Sequence, residues 1–248
     1  MKKLLLAALL GASAIACQQP TRTVYVEKPV SVPVYVERPA IRPSHEPSLM
    51  LLTASDPEGW EWHQFISTSS YLWYKQQLHT PRWDYTGQNY TEFVTPVDPA
   101  VRGLARFLTV RSQNTEDAAQ RILDYVHGSC VYQKDPEGSE YVKYPLETLI
   151  ERNGDCEDLA ILSASLMHSV GIPVALILYP DHMSLGVSGN FFGASWYTEG
   201  RQYFHAEAVG TEWIHRPGTW RIGEMPEERK REKAYVFPLK VTAGNAQR

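Results

Sequence analysis

The apolar positions of the chain fall into three successive patterns. Met1-Lys2-Lys3 opens a continuous run of small and aliphatic residues from Leu4 to Ala16. A spanning helix needs about 20 apolar residues, so this run is too short to cross a bilayer and predicts a cleaved export signal over residues 1–16. Residues 17–48 follow with Val24-Tyr25-Val26-Glu27-Lys28-Pro29 repeated as Val34-Tyr35-Val36-Glu37-Arg38-Pro39, and with further prolines at 20, 33, 43 and 47. Such proline spacing breaks up a central strand and favours an extended spacer. Two readings stay open: a solvated tether, or a strip whose Val-Tyr-Val alternation pairs with a partner by strand addition. The third pattern, residues 49–240, has the mixed periodicities of a folded domain.

Within that domain, residues 49–100 are rich in aromatics, including Trp60, Trp62, Phe65, Tyr71, Trp73, Tyr74, Trp83, Tyr85, Tyr90 and Phe93. They either fill a core or line a groove for peptide or glycan, and the core reading is favoured. Asn114 or Thr115 caps a predicted helix whose first turn holds Glu116 and Asp117. Its apolar face is Ala118, Ile122, Leu123 and Val126, and it should end near Gly128. A polar loop over 134–145 leads to a short helix over Leu146–Glu151, broken by Asn153-Gly154. A second strong helical pattern begins at Cys156 with Leu159, Ala160, Leu162, Ser163, Leu166, Met167 and Val170. Gly171 and Pro173 stop it. Val174–Tyr179 has the length and apolarity of a buried strand. His182–Val187 opens another beyond a Pro180-Asp181 turn. Gln202–Val209 alternates, with Tyr203, His205 and Glu207 on one face.

Cys156 therefore stands in the first turn of a buried helix, where free N–H groups and the helix dipole favour a thiolate. That position, with a histidine partner, can bring a thiol from about 8.5 to about 3.5–7.5. Against this, Asp155, Glu157 and Asp158 surround the thiol with negative charge. They must point away, be paired or be neutralised, and Asp155 is a candidate helix cap. His182, at the rim of the sheet, is placed to face a cysteine on a neighbouring helix. A carboxylate on the next strand, Glu207, can fix its tautomer.

The motifs Tyr144-Pro145-Leu146-Glu147-Thr148-Leu149, Gly154-Asp155-Cys156-Glu157-Asp158, Gly171-Ile172 and Asp181-His182-Met183 resemble bacterial and archaeal transglutaminase-like domains of the papain-like superfamily. Phe204-His205-Ala206-Glu207-Ala208 and Trp220-Arg221-Ile222-Gly223-Glu224-Met225-Pro226 extend the resemblance, so that it spans about residues 114–228. It implies an α+β fold with a Cys-bearing helix packed on an antiparallel sheet. It also implies a catalytic set of Cys156, His182 and Glu207. The third member is usually Asp in the family, and His205 shares a face with Glu207. The third role therefore stays open between Glu207, an unrecognised Asn or Asp, and none. The implied activity is thiol-dependent acyl transfer, with amide or peptide hydrolysis as the first expectation. Transglutaminase crosslinking, or an inactive peptide- or glycan-binding module, are the alternatives. No cofactor is required by this chemistry. Some relatives bind calcium beside the Cys-flanking acids, and Asp155 and Glu157 match those positions by type. No metal ligand is assigned.

Ala14-Ile15-Ala16-Cys17 resembles the lipobox of bacterial lipoproteins, which implies lipidation of Cys17 and a membrane anchor through it. Gln18 in place of Asp points, by analogy with Gram-negative sorting, to the outer membrane facing the periplasm. The expected partners are a protein or peptide substrate at the cell envelope and the membrane itself. Composition agrees with a folded domain: 43% of residues are hydrophobic and 21% charged. A net charge of −4 gives no reason to expect nucleic acid. Beyond Cys17 only Cys130 and Cys156 remain. Two thiols make no disulfide framework, yet in an oxidising compartment one bridge between them stays open, and it would disable the nucleophile.

Overall fold

The computed structural model describes residues 48–81, 88–210 and 220–240. The export signal, Cys17, the repeat-bearing tether, Trp83 and Tyr85 lie outside the described residues. Among the described residues no helix is long and apolar enough to cross a membrane.

The folded unit is α+β. It opens with an antiparallel hairpin of β1 (Leu49–Ser55) and β2 (Glu61–Ser67), which runs directly into α1 (Thr68–Lys75). A 3-10 turn at Gln88–Phe93 precedes α2 (Pro99–Thr109) and α3 (Thr115–Ser129). Asp98 caps α2 through the amides of Ala100 and Val101, with Pro99 supplying a pre-set φ at the first helical position. Asn114 caps α3 by accepting from the Asp117 amide at 2.8 Å, as the sequence predicts.

After α3 the chain makes a two-residue strand, β3 (Val131–Tyr132), and a loop, then α4 (Pro145–Glu151) and β4 (Asn153–Gly154). Asn153-Gly154 thus does more than break a helix: it pairs in parallel with β3, Val131 opposite Asn153 and Tyr132 opposite Gly154. Arg152, at φ 55°, turns the chain into it. Gly154 has a packing reason: a Cβ there would stand 2.5 Å from Cβ of Asp158.

The central helix, α5 (Cys156–Ser169), is buried on every side from Glu157 to His168. A helix apolar all round belongs inside a fold rather than on its surface. Here α2, α3 and α4 pack on it together with strands β5 and β6. Gly171, at φ 82°, ends it in the left-handed conformation that glycine adopts without steric cost.

The sheet that α5 supports is fully antiparallel. Its strands are β5 (Val174–Leu178), β6 (Met183–Val187), β7 (Ser195–Thr198), β8 (Arg201–Ala206) and β9 (Tyr235–Pro238), in the order β7-β8-β6-β5-β9. Leu176, Leu185, Val187, Phe204 and Ala206 join the core with α5. The strand read over Gln202–Val209 stops at Ala206, so Glu207 lies just beyond it. The Glu207 side chain turns back onto the amide of Val209 at 3.1 Å and ends the extended run.

The N-terminal aromatics divide: Phe93 is buried and Trp62, Tyr74 and Tyr90 pack against the core, but Trp60, Phe65 and Trp73 are exposed at 59%, 67% and 41%. The reason is the hairpin: with only two strands, β1–β2 can bury one face, and Phe65 points from the other.

Candidate active site

Three elements converge on one end of the sheet. Cys156 is the first residue of α5, His182 immediately precedes β6, and Glu207 immediately follows β8. Register explains the last two: β6 and β8 are antiparallel neighbours with Leu185 opposite Ala206, so the start of one meets the end of the other.

His182 and Glu207 are assembled. His182 Nε2 lies 2.9 Å from Oε2 and 3.1 Å from Oε1 of Glu207, and both side chains are buried. Burial alone would raise the Glu207 carboxyl. The bond from His182, the charges of His182 and His205 and the Val209 amide outweigh it and hold the group below its usual range. A carboxylate on Nε2 keeps that nitrogen protonated and leaves Nδ1 for another partner. His205, the competitor suggested by the alternation, faces elsewhere: its Nδ1 donates to the Glu224 carbonyl at 2.6 Å. Burial lowers its basicity.

Cys156 is in a different state from the one the helix dipole suggests. Its thiol donates to Oε2 of Glu157 at 3.1 Å, while the Met183 amide points at the sulfur. Burial, then the charge of Glu157 and that hydrogen bond, push the thiol above its ordinary range, and the Met183 amide only partly opposes them. The expectation of a low-lying thiolate is therefore corrected. The helix terminus is present, but desolvation and adjacent acids outweigh it.

Glu157 and Asp155 stay close to the thiol, and Lys143 only partly offsets the burial of Asp158. Burial and Asp155 push Glu157 up to about 9. The same two causes push Asp158 up to about 8, although it accepts the Lys143 amide at 2.6 Å. Asp155 stands at the N-cap, is raised first by burial, and has Oδ1 buried without a protein partner. Among the described residues no group of three or more His, Cys, Asp or Glu side chains is arranged to hold an ion.

Several contributors have no signature in the sequence. Tyr90 comes from the 3-10 turn and donates to Glu140 at 3.2 Å. Burial raises its hydroxyl, as do the charges of Glu140, Glu157 and Cys156. Tyr132, on β3, is raised by burial and then by Cys156, Asp155 and Glu157. The two tyrosines thus flank the cysteine from separate elements. Arg229, in a 3-10 turn at Glu227–Arg231, is buried and reaches Asp181 and Glu232 at 2.6 Å each. It thereby pins the turn that carries His182. Beside His182, Glu207, Trp220 and Arg229 lies a cavity of about 10 Å³, room for one water. A larger cleft of about 610 Å³, lined by Val94, Val97, His168 and Phe237 among others, contains none of Cys156, His182 and Glu207.

Cys130 and Cys156 are both free thiols. Cys130 ends α3 just before β3, and burial pushes its thiol up to about 12.

The model of the transglutaminase-like superfamily matches residues 102–215. That segment runs from within α2 past β8, holds all three candidate residues, and is similar to transglutaminase-like domains. Two solved structures are similar. One is a candidate protease from Parabacteroides distasonis, at 13% identity and a TM-score of 0.36, covering 72% of this chain and 41% of that one. The other is a candidate cysteine protease from Cytophaga hutchinsonii, at 15% identity and a TM-score of 0.36, covering 77% of this chain and 71% of that one. The chain thus spans less than half the length of the first. No curated protein sequence matches it.

Proposed function

We propose that the chain catalyses thiol-dependent acyl transfer, chiefly hydrolysis of amide or peptide bonds, through Cys156, His182 and Glu207. The observation that carries the reading is the buried His182–Glu207 pair at 2.9 Å, held beside a sulfur that already receives the Met183 amide. In the reaction His182 Nδ1 takes the proton of Cys156 and the sulfur attacks the substrate carbonyl carbon. Glu207 stabilises the imidazolium. The leaving amine then takes the proton from His182, and water, deprotonated by His182, resolves the thioester to acid and free thiol. Acid–base help of this kind contributes about 10² to 10⁴ in rate. The resting bond to Glu157 has to be exchanged for one to His182 as substrate enters.

The proposed setting is the bacterial cell envelope. A lipid on Cys17 would anchor the chain to the outer membrane on the periplasmic side, residues 17–48 would space the domain from it, and envelope proteins or peptides would be the substrates. The chemistry calls for no cofactor.

A second reading, an idle triad serving as a peptide-binding module, draws on the neutral, Glu157-bound thiol. One experiment separates the two. Peptide mixtures are incubated with the purified protein, with Cys156→Ser and with His182→Ala, and new termini are read by mass spectrometry. In parallel, iodoacetamide labelling of Cys156 is timed. The enzyme reading expects cleavage that Cys156→Ser abolishes and labelling that slows in His182→Ala. Absence of cleavage together with identical labelling in both proteins leaves the binding module.

A further inference from the structure

The end of β8 raises a backbone question that the catalytic reading leaves untouched. The β6–β8 ladder closes at Leu185 opposite Ala206, so Glu207 is the first residue outside it. Its carbonyl has lost its strand partner while the residue itself is buried. A buried carbonyl needs a donor. The donor is a side chain from another layer: His127 Nε2, in the last turn of α3, reaches the Glu207 oxygen at 2.7 Å. A carbonyl only accepts, so this nitrogen carries the proton.

The ring's other nitrogen shows that the bond is not incidental. Nδ1 of His127 is buried and has no protein partner among the described residues. Leaving such an atom unpaired is costly. Burial also holds the ring below its ordinary basicity. The same two pieces also lie close at Gly210, where an added Cβ would stand 3.7 Å from the backbone carbonyl of His127. Because α3 packs directly on α5, the imidazole links the helix layer that holds Cys156 to the point where the chain presents Glu207. The carboxylate is then gripped from three sides: by His182, by the Val209 amide, and through its own backbone by His127.

We propose that His127 is a positioning residue that sets the Glu207 backbone, and through it the orientation of His182, relative to the Cys156 helix. This rests on the reading of Cys156, His182 and Glu207 as a working set. Misplacing a reacting group by about 1 Å can cost about 10²-fold, so a loss of tenfold or more in Cys156 labelling is the expected scale when the link is cut.

The test uses the full chain with His127 changed to Ala, Gln and Asn, alongside His182→Ala and Glu207→Gln. Gln can place an N–H near the Nε2 position, whereas the shorter Asn cannot. The Gln and Asn pair therefore carries the test if Ala fails to fold. Two quantities are read: the iodoacetamide rate at Cys156, and the ¹⁵N shifts of the His182 ring in histidine-labelled protein. The proposal expects His127→Ala and His127→Asn to label at least tenfold more slowly and to show a His182 ring averaging between tautomers. It expects His127→Gln to restore most of both. A folded His127→Ala with wild-type labelling and an unchanged His182 spectrum overturns it, as does Gln behaving like Asn. If His182→Ala and Glu207→Gln also label at the wild-type rate, the triad reading falls and takes this one with it. That outcome is distinct from one in which those two slow labelling and the His127 variants do not.

Discussion

The two halves of the site have opposite electrostatic characters. On the sheet side, His182 and Glu207 form a satisfied pair whose carboxylate is held ionised despite burial. On the helix side, Cys156 and its three acids form a cluster in which every group is pushed toward its protonated form. The same physical factor, desolvation, acts on both. What differs is the partner: a histidine and a backbone amide answer Glu207, whereas Glu157 and Asp155 mainly face each other. The His182–Glu207 pair is thus already assembled in the resting protein, whereas the Cys156 thiol sits among groups that all favour keeping their protons.

The sharpest break of this comparison is on the sheet side. Glu207→Ala should lower amide hydrolysis by about 10² to 10⁴. It should also destabilise the fold by about 1–3 kcal/mol, because it leaves the buried Nε2–H of His182 without an acceptor. Peptide cleavage rates and urea unfolding measure the two losses, and an effect on stability alone would remove Glu207 from the chemistry.

On the helix side a smaller effect of opposite sign is expected. Glu157 keeps its proton below about pH 9. Wild type and Glu157→Gln should therefore label alike with iodoacetamide at pH 7. Above pH 9 the ionised Glu157 holds the wild-type thiol back, and the variant should run about tenfold ahead by pH 10, one unit of thiol shift. Equal rates throughout would mean that the Cys156–Glu157 bond does not govern the thiol.

Stability against pH sharpens the contrast further, because the two sides have opposite linkage. Glu207 is lowered in the fold, so its contribution is present above the unfolded value and is lost as pH falls through the folded one. Glu157 and Asp158 are raised to about 9 and about 8, so the fold binds their protons more tightly than the unfolded chain does. Their contribution is complete in acid and drains away as pH rises toward those values. Thermal unfolding between pH 5 and 9 should show a falling midpoint, and Glu157→Gln should flatten that fall. A rising midpoint would contradict the assignment. The smallest effect touches neither side: Asn114→Ala removes the α3 cap and should cost about 1 kcal/mol while leaving Cys156 labelling unchanged.

The elements most legible in the sequence are those whose information is local. The Asn114 cap with Glu116 and Asp117 marks the start of α3, and the unbroken apolar run closed by Gly171 marks α5. Cys156 at the helix start could be read for the same reason, since its position follows from the pattern around it. The hairpin of β1 and β2 could not: Leu49-Met50-Leu51-Leu52 has no clean alternation, and which of its side chains is covered depends on what lies beneath. Tyr90, Tyr132, Arg229 and His127 each enter as one residue from a separate element, a placement with no spacing to recognise.

Taken alone, the sequence determined helices such as α3 and α5 and which residues carry reactive groups, because caps, periodicity and side-chain chemistry act over a few neighbouring positions. The tertiary structure decided the protonation landscape and the partners. It put Glu207 rather than His205 on His182, gave the Cys156 proton to Glu157, and left the Glu207 carbonyl to His127. Those outcomes depend on burial and on contacts between residues as far apart as His127 and Glu207. Desolvation is a property of the assembled volume, and no local pattern encodes it.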